Sequence, residues 1–229
     1  MKQAVSAAFS DALNDSVPVM FGYVPLGLAF GVLFQSLGYH WMFAPLAGLL
    51  VYAGSAQFMA VGLLASGVTL TETFFATLLL NSRHFFYGLS VLNRYPKKGL
   101  ARWYLIFGLT DETYSLITAK PRGLYSSPRY YLWLTALNQL YWVLGCGFGA
   151  GIQSYFSFNS EGFEFALVAL FVVLLLQQIS IMEERWLLWL ALVASLFSVW
   201  LFPDQFLTIA ILICLACLII KARLGLVGE

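Results

Sequence analysis

Residues 69–92 read TLTETFFATLLLNSRHFFYGLSVL, a stretch apolar enough to lie in lipid that carries Asn81, Arg83 and His84 near its middle. An arginine at the centre of a bilayer costs roughly 2.5–3.5 kcal/mol on insertion scales, and lipid provides no compensating interaction. The stretch therefore predicts a membrane helix whose Arg83 faces a bundle interior, a cavity or a ligand.

The composition of the whole chain extends this prediction to the rest of the molecule. Of its 229 residues, 61% are hydrophobic and only 10% are charged, whereas a soluble domain has about 25% charged residues. Lipid must therefore replace water over most of the surface. The net charge of +1 argues against a nucleic-acid partner. We expect an all-α, polytopic integral membrane protein.

Apolar windows give the expected helices, since a spanning helix needs about 20 mostly apolar residues. They cover residues 17–37, 41–66, 69–92, 103–119, 130–152, 163–182, 186–202 and 205–220. The sequence predicts a helical bundle with seven to eight transmembrane segments, some of them broken or short near the middle. Residues 1–16 are expected to form an amphipathic surface helix, residues 17–221 one transmembrane domain, and residues 222–229 a cytoplasmic tail.

The first window contains a proline and closely spaced glycines at Pro25, Gly27 and Gly31. Proline removes a backbone donor and clashes with the preceding turn, and glycines four residues apart let another helix approach closely. Two interpretations remain open at this point. The helix is either kinked and pressed against a neighbour, or it is discontinuous with its ends turned toward a substrate.

Basic residues on both sides of the short fourth window make the membrane topology ambiguous. Cytoplasmic loops carry an excess of Lys and Arg, so both flanks of residues 103–119 should lie in the cytoplasm. Either this window is broken or re-entrant, or one basic cluster lies outside. Lys221 and Arg223 indicate a cytoplasmic C-terminus, which leaves the N-terminus outside with seven spans and inside with eight. The two flanks contain Arg94, Lys97, Lys98 and Arg102, and then Lys120, Arg122 and Arg129.

Polar residues along the third window recur at helical spacing and predict one polar stripe. The stripe consists of Thr73, Thr77, Asn81, His84 and Gly88, with Arg83 at its edge. Asp111 and Glu112 in the fourth window supply the opposite charge. We expect Arg83 to neutralise one of these carboxylates, which leaves the other able to carry a proton. The alternative is a fixed Arg–carboxylate pair that only holds two helices together.

The inventory of reactive side chains argues against an enzyme or a metal protein. The chain has two histidines and lacks the G-x-S-x-G, H-E-x-x-H and Walker A patterns. Cys214 and Cys217 form a C-x-x-C on a lipid-embedded helix with no further ligand nearby, so we interpret them as two small apolar residues. No cofactor or metal is predicted.

Four separated motifs resemble those of the AzlC family, the large subunits of bacterial branched-chain amino-acid exporters. They are GYVPLGLAFG at 22–31, AGSAQF at 53–58, NSRHFFYG at 81–88 and TDE at 110–112. The resemblance implies an exporter of valine, leucine, isoleucine and often methionine in the bacterial inner membrane. It also implies a small AzlD-type partner subunit and coupling to the proton gradient.

The resemblance and the charges together suggest a site for a zwitterionic amino acid. Arg83, with backbone amides of a broken first helix, would receive the substrate carboxylate. Asp111 or Glu112 would receive the ammonium group or carry the coupling proton. The expected polar rim consists of Tyr23, Tyr52, Gln57, Asn81 and His84, although Gln57 could equally make a single interhelical hydrogen bond. A channel subunit and a purely structural membrane subunit remain the alternative functions.

Overall fold

The computed structural model describes residues 2–119, 127–156, 185–203 and 206–223, together with isolated positions between 162 and 179. Within these residues the chain is helical and contains no β-strand, as predicted. Most of the window predicted at 163–182, the basic residues Lys120 and Arg122, and most of the predicted tail lie outside the described residues. The helices are α1 (Lys2–Ser36), α2 (Phe43–Leu50), α3 (Gly54–Ser66), α4 (Leu70–Val91), α5 (Leu100–Phe107), α6 (Asp111–Ala119), α7 (Pro128–Phe156), α8 (Trp186–Leu201) and α9 (Phe206–Arg223), with a 3-10 turn at Leu92–Arg94.

The chain forms two compact units. The first comprises Met1–Gly67 and Leu80–Leu170, and the second comprises Val68–Leu79 and Phe171–Glu229. In the second unit the ammonium group of Lys221, near the end of α9, lies 4.6 Å from the ring centroid of Trp186 in α8. Arg83, Asp111 and Glu112 all belong to the first unit, which is therefore the one that holds the predicted site.

Helix α1 is continuous from Lys2 to Ser36 and passes through Pro18 and Pro25 without a break. The discontinuous first helix suggested by Pro25 is therefore wrong, and the boundary expected at residue 16 does not coincide with a helix end. The hydrogen bond that Pro25 cannot make belongs to the carbonyl of Phe21, a residue that is 71% exposed. The stretch Ala7–Ser36 is long and apolar enough to cross a membrane, judged by length and composition.

Helix α1 packs lengthwise along α7, and the two helices run in the same direction. Near the start of both helices the Phe9 and Trp133 rings are 5.1 Å apart. Near their ends the Gln153 amide nitrogen donates to the Ser36 hydroxyl at 3.4 Å. The alternative of a helix pressed against a neighbour is thus the one observed.

Glycines make this approach possible in the middle of the α1–α7 contact. A Cβ added at Gly27 would lie 2.9 Å from the carbonyl oxygen of Trp142, and one at Gly31 would lie 2.2 Å from the carbonyl oxygen of Cys146. Real Cβ atoms do not approach backbone this closely, so side chains at these positions would push the helices apart.

The window 41–66, predicted as one span, is instead a hairpin of two short helices. Helix α2 runs opposite to α7, since a Cβ added at Gly147 would lie 3.6 Å from Pro45 and the Leu49 carbonyl accepts from the Gln139 amide at 3.1 Å. The helix breaks at residues 51–53, where Tyr52 has φ of 45°. Helix α3 then returns alongside α1. We call residues 51–53 the first tip.

The fourth window is also a hairpin, because α5 ends at Phe107 and α6 begins at Asp111. The Arg94 guanidinium, just after α4, donates to the Ile117 carbonyl near the end of α6. The Ser90 hydroxyl donates to that of Tyr114 one turn earlier, at 3.2 Å. Helix α6 therefore ends beside the end of α4, where α5 begins. The predicted break is confirmed, and we call residues 108–110 the second tip.

The two tips meet within the first unit. The ring centroids of Tyr52 and Phe107 are 6.5 Å apart. Gln139 of α7 connects the two hairpins, since its amide nitrogen donates to the Leu49 carbonyl at 3.1 Å and its amide oxygen accepts from the Tyr104 hydroxyl at 2.8 Å. The hairpins enter from opposite ends of α7, so helices α3 and α6 both start near the centre of the unit.

Candidate functional site

Arg83 of α4 bridges the starts of the two returning helices. Its Nη1 lies 2.7 Å from Oδ2 of Asp111, the first residue of α6. Its Nη2 donates to the hydroxyl of Ser55, the second residue of α3, at 3.0 Å. The side chains of Arg83 and Asp111 are 20% and 26% exposed. Arg83 therefore forms an ion pair with one of the two carboxylates, as expected, and that carboxylate is Asp111.

The local sequence explains why acids stand at the start of α6. The hydroxyl oxygen of Thr110 accepts from the backbone N–H of Thr113 at 3.3 Å, which is a normal N-cap interaction. Carboxylates in the first turn are stabilised by the partial positive charge at a helix N-terminus. Helix α3 differs, because its N-cap residue Ala53 offers no side-chain cap and its first amides lack such a partner.

Glu112 points elsewhere than Asp111 and makes no ion pair among the described residues. Its Oε2 accepts a hydrogen bond of 2.5 Å from the hydroxyl of Tyr23 in α1. The structure thus separates the two acids into an ion-paired Asp111 and a hydrogen-bonded Glu112.

The polar stripe predicted on α4 lies on its more buried side. Thr73, Thr77, Asn81, His84 and Gly88 are all partly buried. The His84 ring contacts the Asn81 carbonyl through Nδ1 at 3.2 Å, and its Nε2 lies 3.9 Å from Oδ1 of Asp111. The Asn81 side-chain oxygen is buried without a hydrogen-bond partner among the described residues. The structure thus brings His84 to the ion pair.

Tyr52 lies in the first tip, and Gln57 lies in the first turn of α3. Tyr52 is 4% exposed and Gln57 is 2% exposed. The Gln57 oxygen accepts from the indole N–H of Trp142 in α7 at 2.9 Å, which is the single interhelical bond that the sequence left open. No hydrogen bond joins Gln57 to Arg83 or to either carboxylate in the described part of the chain.

Several polar residues of the site were not singled out from the sequence. Ser55 holds Arg83, and Thr113 accepts a hydrogen bond of 3.0 Å from the fully buried Asn138 amide. Ser55 lies inside the quoted AGSAQF motif, so that motif contained a signal for it. Asn138 lies beside Gln139 in an otherwise mostly apolar stretch of α7 and carries no pattern that distinguishes it from a residue that makes an ordinary interhelical hydrogen bond.

The described residues offer no group of three or more His, Cys, Asp or Glu side chains that could hold a metal ion. All three cysteines are free, and Cys146 is fully buried. What the site contains is one guanidinium, one paired carboxylate and one further carboxylate, which is an arrangement suited to a ligand that carries both charges.

Comparison with known proteins places this site in a family. The family described as AzlC protein matches residues 18–156, which include every charged residue of the site. The chain belongs to the AzlC family. The resemblance noted in the sequence motifs is therefore confirmed, and it extends beyond the last motif into α7.

Relatives of this AzlC-family chain are named as membrane and transport proteins. Over 178 residues it is 35% identical to the branched-chain amino acid transport protein AzlC of Bacillus subtilis, which covers 77% of this chain and 70% of the relative. An uncharacterized membrane protein of Helicobacter pylori is 33% identical over 95% of this chain and 96% of its own. The inner membrane protein YgaZ of Escherichia coli is 29% identical over 91% and 88%. No solved structure matches the chain.

Proposed function

We propose that this AzlC-family protein is a transporter subunit that exports branched-chain amino acids across a bacterial inner membrane in exchange for protons. The observation that carries the proposal is the position of Arg83, Asp111 and Glu112 where two broken helices meet. Broken helices with their N-termini at the centre of the fold are typical of substrate sites in secondary transporters. The named function of the Bacillus subtilis relative supports the substrate class.

The chemistry of the site fits a zwitterion. Glu112, which lacks an ion pair among the described residues, receives the substrate ammonium group. The substrate carboxylate binds at the Arg83 guanidinium, which is 20% exposed, and at the uncapped first amides of α3. Arg83 keeps its contact with Asp111, which holds the guanidinium between the two tips.

Proton coupling follows from Glu112 in this scheme. A protonated Glu112 has no charge to offer an ammonium group, so proton entry and substrate release accompany one another. His84 lies 3.9 Å from Asp111 and would respond to the same change of charge. Tyr52, Gln57 and Asn81 border the site without carrying its charge.

The membrane topology follows from the two hairpins. The ends of α4 and α6 and the starts of α5 and α7 lie together, and we infer from the basic residues there that they face the cytoplasm. The hairpin α5–α6 then re-enters from the cytoplasm and α2–α3 from outside. Removing both windows from the eight predicted leaves six spans instead of seven or eight. An even number places both ends of the chain inside, which agrees with Lys221 and Arg223 near the C-terminus.

The partner that we propose is the small AzlD-type membrane subunit implied by the family resemblance. The proteoliposome test should therefore be done with and without it, using radiolabelled leucine and an imposed pH gradient. Saturable flux that depends on the gradient supports the carrier, and Glu112→Gln should abolish that dependence. Non-saturable flux independent of the gradient would instead show a pore. No flux even with the small subunit present would show a structural role.

A further inference from the structure

Among the charged groups of the described site, Tyr23 of α1 forms a hydrogen bond only with Glu112. Its hydroxyl donates to Oε2 of Glu112 at 2.5 Å, and its side chain is 6% exposed. We propose that Tyr23 is a positioning residue that acts on the substrate through Glu112, by holding that carboxylate in the orientation that receives the ammonium group. This inference rests on the proposed function and assigns Tyr23 a role different from the polar rim in which the sequence placed it.

Glu112 needs such a support because of its position. It lies on the exposed side of α6 and has no ion pair among the described residues. A glutamate side chain has three rotatable bonds, and its freedom would be lost each time a substrate bound. A carboxylate that is already held in place avoids that loss, which is the general advantage of preorganised sites.

Tyr23 is itself held by a chain of buried hydroxyl and amide groups. The Tyr23 hydroxyl also lies 2.7 Å from the hydroxyl oxygen of Thr110. The Tyr23 proton is therefore shared between the Thr110 oxygen and the Glu112 carboxylate. Thr110 donates to Thr113 at 3.1 Å, and the amide of Asn138 donates to Thr113 at 3.0 Å. These three residues are at most 7% exposed. The Tyr23 ring also packs edge-on against Trp142, with centroids 5.5 Å apart.

The network connects three helices at one point. Tyr23 comes from α1, Thr110 and Thr113 from the second tip and α6, and Asn138 from α7. A substrate contact needs an exposed polar atom, whereas these groups are directed at one another. The geometry therefore assigns Tyr23 to support of the carboxylate and not to direct contact with substrate.

The test is a double-mutant cycle on leucine binding by the purified full-length protein, with transport measured in parallel. Tyr23→Phe removes only the hydroxyl. We expect it to raise the KM for leucine about tenfold, the loss of one hydrogen bond to a charged group, with the maximal transport rate changed less than about twofold. In a Glu112→Gln background the same substitution should change the leucine dissociation constant by less than about twofold.

Tyr141→Phe is the matched control. Tyr141 is a buried tyrosine of α7 whose hydroxyl bonds that of Ser16 in α1 at 3.1 Å, away from Glu112. Tyr141→Phe should change the leucine dissociation constant by the same factor in the wild-type and Glu112→Gln backgrounds. Thr110→Ser keeps the hydroxyl and the helix cap, and it should preserve the wild-type KM even if Tyr23→Phe proves poorly folded, whereas Thr110→Val should raise it.

The outcomes separate this inference from the proposed function. If Glu112→Gln leaves leucine binding and transport unchanged, the proposed function fails. If Glu112→Gln is impaired but Tyr23→Phe weakens binding by the same factor in both backgrounds, Tyr23 does not act through Glu112 and the inference is overturned. An equal KM for Thr110→Ser and Thr110→Val would overturn it as well.

Discussion

Removing the charge of Asp111 should destabilise the protein, because it leaves the Arg83 guanidinium without its partner at 2.7 Å. Breaking a buried pair costs 3–5 kcal/mol. Since the two side chains are 20% and 26% exposed, we expect about 3 kcal/mol for Asp111→Asn, the lower end of that range. For a chain of this size, such a loss lowers Tm by roughly 6–12 °C.

The informative variant is the neutral pair Arg83→Gln with Asp111→Asn. It removes both charges and keeps side chains that can still form a hydrogen bond, so most of the lost stability should return. Transport of leucine should not return, because the guanidinium that receives the substrate carboxylate is gone. Thermal unfolding of the purified protein in detergent and leucine flux in proteoliposomes measure the two quantities separately.

Arg102→Gln is the control for the loss of an arginine as such. Arg102, in the first turn of α5, donates to the carbonyl of Pro96 in the preceding loop at 2.8 Å, and its removal should cost about 1.5 kcal/mol with transport intact. If the neutral pair recovers both stability and transport, then the ion pair only holds two helices together. In that case the proposed substrate site is wrong.

Three further predictions test the packing and the topology. Gly31→Ala places a Cβ about 2.2 Å from a backbone oxygen of α7, and it should lower the free energy of unfolding by more than the roughly 1–3 kcal/mol typical of overpacking. As the control, Gly22→Ala adds a Cβ that meets nothing within 4 Å and should leave the free energy of unfolding nearly unchanged. Trp142→Phe removes the 2.9 Å bond to Gln57, and we expect a loss of about 1–3 kcal/mol from the amide left without a partner, measured by thermal unfolding. A cysteine at Lys98, in a version without the native cysteines, should react with membrane-impermeant thiol reagents only from the cytoplasmic side, and reaction from outside would reverse the topology.

The positions of the long helices could be predicted from the sequence. Hydropathy gave 69–92 for a helix that runs from Leu70 to Val91, and 130–152 for one that runs from Pro128 to Phe156. Lipid requires about 20 apolar residues in a row, so the signal is strong. At its two ends α7 extends beyond the apolar window into more polar residues, which hydropathy does not distinguish from a loop.

The first tip could not be predicted. Its central residue is Tyr52, whose φ of 45° is rare for a residue with a bulky side chain. Tertiary contacts sustain this conformation, and they leave no mark in the local sequence. At Pro25 the sequence left a continuous and a discontinuous helix open, and the helix is continuous because its contact with α7 extends on both sides of the one missing hydrogen bond. The second tip was visible as a short window with polar residues at its centre.

Which acid pairs with Arg83 was also beyond the sequence. Asp111 and Glu112 are adjacent in one helical turn and point about 100° apart. Only the direction in which α6 returns from the second tip decides that Asp111 faces α4 and Glu112 faces Tyr23 of α1. That direction depends on the packing of four helices, which no local pattern records.

The charge balance of the site leads to the last prediction. Helices α3 and α6 both begin there, and each N-terminus carries about half a positive charge. Together with Arg83 they about balance Asp111 and Glu112, so the empty site is close to neutral. A zwitterionic ligand preserves that neutrality, whereas a singly charged ligand leaves a net charge in a medium of low dielectric constant. Leucinamide and 4-methylpentanoate, which each keep one charge of leucine, should therefore compete with leucine at least about tenfold more weakly than valine does. If leucinamide competed as well as valine, the groups proposed to bind the carboxylate would not contact the substrate. If 4-methylpentanoate did so, Glu112 would not contact the ammonium group.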